Sequence, residues 1–147
     1  MWSYYTNFNA KSTSNISQIP PILGNITWDQ GCYYNAMTPA NGDASFCYRN
    51  PTGCVATAMA MIMKYYAWPT QGQGSYSYVH STANGFSNNY GTLSANFGTS
   101  TYNWSSMPLN VVSANAEVAK IMYHCGVAVE MDYDQNGSGA VVGAAAG

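Results

Sequence analysis

The sequence predicts an α+β fold built from two helices and short alternating strands. Three observations carry that prediction. The run "CVATAMAMIMKYY", Cys54 to Tyr66, is almost unbroken apolar helix former. Val118, Ile121, Met122 and Cys125 recur at i, i+3, i+4 and i+7, which is one face of a second helix. "SYSYV" (Ser75–Val79) and "VAVEMDY" (Val127–Tyr133) alternate with the period of a half-buried strand. At 147 residues the chain is one domain or part of one, and its 47% apolar content is enough for a core.

Taken in order, residues 1–22 are rich in Asn, Ser and Thr, end in Pro20-Pro21, and read as an extended arm. Residues 23–53 keep no sustained period and read as loop with short segments. The first helix starts near Cys54, behind the turn formers Pro51-Thr52-Gly53. Trp68-Pro69 stops it, because the residue before a proline avoids the helical region. Residues 70–105 are rich in Gly, Ser, Asn and Tyr. Beyond the strand Ser75–Val79 they read as surface loop, long enough to suggest binding or an insertion. Ser113 or Asn115 can cap the second helix, and Glu117 sits where the dipole favours an anion. Gly126 is expected to end that helix, with Val127–Tyr133 following as a strand. The small-residue tail 141–147, "VVGAAAG", reads as a cleavable loop.

Composition narrows the function classes. Only 7% of residues are charged and the formal net charge is -2, which argues against nucleic acid or an anionic membrane as partner. A surface built from Asn, Ser, Thr, Gly and 13 tyrosines is commoner in secreted proteins. The longest apolar run, Val55–Met63, is too short to span a bilayer. Met1-Trp2-Ser3-Tyr4 lacks the basic start and apolar stretch of a signal peptide, so the chain is either cytosolic or has had a leader removed, and the surface composition favours the second. Of the 4 cysteines, Cys32 and Cys47 bracket a loop of turn formers. They either close a disulfide or serve as small core residues. No cysteine spacing suits zinc, His80 and His124 stand apart, and no metal or cofactor is expected.

Cys54 is the residue with chemistry to explain. A helix N-terminus presents unpaired N–H groups and the positive end of the dipole, which stabilises a thiolate placed there. An ordinary buried cysteine would suit the same position. A central, apolar helix would also hold its first residue rigidly, as a nucleophile requires. Acyl transfer by a thiolate further needs an oxyanion donor and a base. Gln30, in "WDQGCYYN", offers an amide N–H on a Gly-flanked loop. His80 and His124 are both better read as structural or surface residues than as the base.

"WDQGCYYNAMTP" (Trp28–Pro39) and "TGCVATAMAMIMKYYAWP" (Thr52–Pro69) closely resemble the streptopain family of papain-like, secreted bacterial cysteine peptidases. "YNW" (Tyr102–Trp104), "GVAVEMDY" (Gly126–Tyr133) and a stretch like "NGSGA" recur in the same order in that family. The resemblance runs from about Leu23 to Ala140 and implies a papain-like peptidase fold. This chain would then be its helical half, 23–140, with the central nucleophile helix. It further implies Cys54 as nucleophile, Gln30 as oxyanion donor, and Trp68 as an aromatic wall of the pocket for the second residue before the scissile bond. Ser138, Gly139 and Ala140 fall near the segment that hydrogen-bonds the substrate backbone.

The same resemblance implies a partner. The family's catalytic His lies well over a hundred residues beyond the cysteine, whereas Gly147 is 93 residues past Cys54 (147 − 54). A C-terminal fragment of the same precursor is therefore expected to bring the His and an antiparallel sheet covering the first helix. Without it, one apolar side of that helix would be bare. The expected function is a secreted or cell-surface bacterial cysteine endopeptidase acting on proteins or peptides through a Cys-His dyad, active only with that fragment. The lack of a pro-segment fits a processed form, and such secreted peptidases are associated with virulence. The alternative is a non-catalytic homologue that binds peptides or mediates adhesion. A redox or deamidating thiol enzyme is disfavoured, because no resolving cysteine pair accompanies Cys54.

Overall fold

The computed structural model describes residues 20–141; most of the N-terminal arm and the tail 142–147 lie outside them. Helix α1 spans Cys54–Tyr66 and helix α2 spans Ala116–Ala128. Strands β1 (Ser75–His80) and β2 (Gly91–Asn96) form an antiparallel hairpin with Tyr78 opposite Leu93 and His80 opposite Gly91. Single 3-10 turns occur at Ala44–Phe46, Thr82–Asn84 and Trp104–Ser106. The two helices pack on each other, and the hairpin packs on α2.

Both helix boundaries have identifiable causes. α1 begins at Gly53, whose φ of 85° is open to glycine and strained for other residues. It ends at Ala67 in the left-handed conformation, with the N–H of Trp68 turned back to the carbonyl of Met63 at 3.2 Å. A cis Trp68-Pro69 peptide follows. In α2 the Asn115 side chain accepts the N–H of Val118 at 3.0 Å, so Asn115 rather than Ser113 is the cap. Glu117 in the first turn pairs with Lys120 at 2.8 Å and receives the N–H of Asn103 at 3.0 Å.

The core gathers around α2. Val118, Ile121, Met122 and Cys125 are buried with Tyr78, Leu93, Tyr102, Trp104 and Met107. From α1 that core receives Ala56 and Ala60, both fully buried, with Met59 and Met63 packed at its edge. The opposite side of α1 is bare. Ala58, Ile62, Tyr65 and Tyr66 are exposed along one stripe, Tyr66 at 68%. The helix is apolar all round in sequence and covered on one side in space.

Three expectations are corrected. Gly126 does not end α2 but lies inside it, because the ring of Tyr133 sits where a side chain at 126 would have to go. Val127 and Ala128 are consequently helical, and Val127–Tyr133 is not a strand. The chain reverses at Glu130 (φ 49°), and a single antiparallel bridge, Asp132 with Gly139, follows. The period-two signal nonetheless reports burial, since Val127, Val129, Met131 and Tyr133 are all inside. Lastly, residues 70–105 are not mainly surface loop. β2 was hidden because its inward face is only Leu93 and Ala95. Tyr78, on its partner strand, donates from its hydroxyl to the carbonyl of Met131 at 2.6 Å.

Candidate active site

Cys54 opens α1 and is exposed at the head of the bare stripe. The first turn is fixed from within. The amide of Thr57 and its hydroxyl both donate to the carbonyl of Gly53, at 3.0 and 2.9 Å, and the hydroxyls of Thr57 and Thr52 lie 2.8 Å apart. All three residues are buried. Cys54 thus projects to solvent from a rigid turn, with the unpaired N–H groups of the helix N-terminus around it.

Gln30 is brought to the same place. The N–H of Thr52, two residues before the cysteine, donates to the carbonyl of Gln30 at 3.1 Å. Upstream, the indole N–H of Trp28 donates to the carbonyl of Pro108 at 2.8 Å and anchors the limb. The Gln30 side chain is partly exposed and makes no hydrogen bond among the described residues. Sequence reasoning did not identify Thr52 as the link, because its hydrogen bond to Gln30 is a contact between distant segments that leaves no local signal.

The segment Ser138–Ala140 is the other neighbour. The Ser138 hydroxyl, buried, donates to the carbonyl of Pro51 at 2.7 Å. Its own carbonyl stands 3.1 Å from where a Cβ on Gly53 would be. Both backbone groups of Gly139 are engaged by Asp132, at 2.8 and 3.0 Å. Ser138 and Ala140 flank that bridge, which leaves the segment as a strand-like wall beside the helix start.

Trp68 is not brought to this place, and its expected role as a pocket wall near the nucleophile is corrected. It lies past the far end of α1, 71% exposed beside Ile62, Met63 and Tyr66. The twelve steps from Cys54 to Tyr66 at about 1.5 Å each put roughly 18 Å between the helix ends. A residue lining the second subsite must lie much closer to the sulfur.

Both histidines are structural. His80 is fully buried in β1; its Nε2 accepts the N–H of Tyr133 at 2.9 Å, so the ring proton sits on Nδ1 and is donated to the carbonyl of Asn88 at 2.9 Å. It also stacks on Phe86, centroids 4.6 Å apart. His124 pairs through Nδ1 with the Tyr102 hydroxyl at 2.8 Å and lines an apolar cavity with Met59, Met63 and Phe97. Burial, aided by the charge of Lys120, holds its pKa below the ordinary value. Neither is hydrogen-bonded to Cys54. Cys32 and Cys47 are joined in a disulfide, Cα atoms 5.4 Å apart, which resolves the choice the sequence left open. Among the described residues no group of His, Cys, Asp and Glu is placed to hold a metal ion.

The pattern of the peptidase C10 family matches residues 28–147. The chain is 38% identical over 88% of its length to the thiol protease/hemagglutinin PrtT of Porphyromonas gingivalis, of which it covers 16%. It is 35% identical over 78% of its length to streptopain of Streptococcus pyogenes, of which it covers 32%. Among solved structures it superposes on the active wild-type interpain A cysteine protease of Prevotella intermedia. The TM-score is 0.69 at 38% identity, over 83% of this chain and 50% of that one. The chain spans half or less of the length of these relatives.

Proposed function

The chain belongs to the peptidase C10 family, and on that premise we propose that it is the nucleophile-bearing part of a cysteine endopeptidase. The observation that carries the proposal is the meeting of an exposed Cys54 at a helix N-terminus with Gln30, through the Thr52-to-Gln30 hydrogen bond. The Cys54 thiolate attacks the scissile carbonyl carbon. The negative oxygen that develops is held by the Gln30 side-chain amide and the Cys54 backbone N–H. The leaving amine takes a proton from an imidazolium, and water then hydrolyses the thioester to restore the thiol. Ser138 and Ala140, on the wall beside Gly53, hydrogen-bond the substrate backbone.

The imidazole comes from a C-terminal part of the same precursor. Two observations support this: both histidines of this chain are engaged elsewhere, and the bare stripe of Ala58, Ile62, Tyr65 and Tyr66 runs directly from Cys54. That stripe is where the second part packs. Secretion or display at a bacterial cell surface is supported by the Cys32–Cys47 disulfide, which persists in oxidising compartments. No helix of the described residues is long and apolar enough to cross a membrane.

The test is labelling of the full-length protein at neutral pH with the epoxide peptide inhibitor E-64. A single adduct on Cys54, with cleavage of a fluorogenic peptide abolished in Cys54→Ala, is expected. An unmodified Cys54 overturns the proposal. Peptide binding without an adduct would instead establish the non-catalytic, adhesive alternative that the second half of the PrtT name brings to mind.

A further inference from the structure

We propose that the Cys32–Cys47 disulfide positions the oxyanion donor, so that its reduction lowers turnover while leaving the nucleophile intact. The proposal rests on the reading of Gln30 as that donor. Cys32 is two residues beyond Gln30, and Cys47 lies on the return limb that leads to Thr52, Gly53 and Cys54. The two limbs are thus tied at one end by the S–S bond and at the other by the Thr52-to-Gln30 hydrogen bond. Gly31, between these ties, lies against the ring of Phe46 from the disulfide-closed loop, with 3.4 Å to a Cβ built on it, and within that loop the Asn35 side chain donates to the carbonyl of Phe46 at 2.7 Å.

Two observations make the disulfide decisive for Gln30. The Gln30 side chain makes no hydrogen bond among the described residues, so its aim is set by its backbone alone. Cys47 and Tyr48 are consecutive non-glycine residues at φ 56° and 62°, a left-handed conformation that persists only where surrounding structure holds it. With the S–S bond gone, this pair is held only by its hydrogen bonds to Asn41, Asp43 and Ala44, the link from Phe46 through Cys47 to Cys32 is lost, Phe46 is freer to move off Gly31, and the Gln30 amide loses its fixed direction.

Cys47 is exposed, so a small dithiol can reach it. One thiolate of the dithiol bonds to the Cys47 sulfur as the S–S bond breaks, and Cys32 leaves as thiolate and takes up a proton. The second dithiol sulfur then closes a cyclic disulfide and releases the Cys47 thiol. Two electrons pass from the dithiol to the protein. The reaction uses Cys54 as the free thiol it already is and needs Cys32–Cys47 oxidised, so activity falls as dithiol reduces that bond.

The experiment titrates the full-length protein with dithiothreitol, following peptide hydrolysis and, by mass spectrometry, alkylation of each cysteine. As Cys32 and Cys47 become alkylatable, kcat is expected to drop about tenfold or more, the scale of a displaced catalytic group. KM and the iodoacetamide rate at Cys54 should stay within about twofold. The variant C32S/C47S should show the same loss without reductant. In a Gln30→Ala background, removing the disulfide should change kcat no further, an outcome a merely structural staple would not give. An unchanged kcat on full reduction, or a loss that adds to that of Gln30→Ala, overturns the proposal. Failure of the peptidase reading itself looks different: no E-64 adduct on Cys54 with the disulfide intact.

Discussion

The backbone N–H of Thr52 donates to the carbonyl of Gln30 at 3.1 Å, and this one bond joins the loop that carries Gln30 to the turn that precedes Cys54. Thr52 stands 22 positions beyond Gln30 in sequence (52 − 30), and the bond holds the Gln30 loop against the turn that precedes Cys54.

Gln30→Ala should therefore lower kcat for peptide hydrolysis by about 100-fold and leave KM nearly unchanged, the scale of removing one oxyanion donor. Steady-state kinetics on the full-length protein decides it. An equal rise in KM with no change in kcat would move Gln30 from the reaction to substrate binding.

Gly53→Ala should destabilise the protein and slow labelling of Cys54. The residue sits at φ 85°, ψ 143°, a region close to glycine-only, where another residue costs about 1–3 kcal/mol. Its new Cβ would also stand 2.5 Å from the Met131 sulfur and 3.1 Å from the Ser138 carbonyl. Urea unfolding measures the cost, and an unshifted midpoint would contradict it.

Thiol accessibility should separate the two free cysteines. Cys54 is exposed, while Cys125 is buried against Met63 with its pKa pushed up to about 12 by burial. Without reductant, iodoacetamide should modify Cys54 alone in the folded protein and both Cys54 and Cys125 in urea. Labelling of Cys125 under native conditions would show that the helix pair opens.

Stability should fall on mild acidification, and His124 should be one cause. Burial holds its folded-state pKa below the ordinary 6.5, so the unfolded chain binds the proton more readily. Its contribution is complete above about pH 6.5 and is lost as pH falls toward the folded value. His124→Gln keeps an acceptor for the Tyr102 hydroxyl without titrating. The variant's urea midpoint should fall less between roughly pH 7 and pH 5 than that of the natural chain; equal slopes would clear His124 of the role.

How far the sequence reached differs from element to element. α1 was legible to within a residue, because Gly53 and Trp68-Pro69 punctuate it with backbone chemistry that neighbours cannot overrule. α2 was legible at its start, where Asn115 caps locally, and not at its end. Gly126 there answers to the approach of Tyr133, a contact seven residues away, rather than to a helix cap. β2 escaped because two small inward residues make little pattern, and its pairing with β1 is what creates it. Trp68 was placed by resemblance alone, and the length of α1 removes it from Cys54.

By itself the sequence determined the helix that carries Cys54, the sulfur's place at its head, and the family to which the thiol belongs. The first two follow from local backbone preferences around Gly53 and Pro69, and the third from short motifs that recur in order along the chain. The tertiary structure alone decided that Cys32 bonds Cys47, that Gln30 and Ser138 border the same turn, and that both histidines are engaged elsewhere. The physical reason is that each of these is a contact between distant segments, set by which hydrogen bonds and apolar faces remain to be satisfied once the helices have packed.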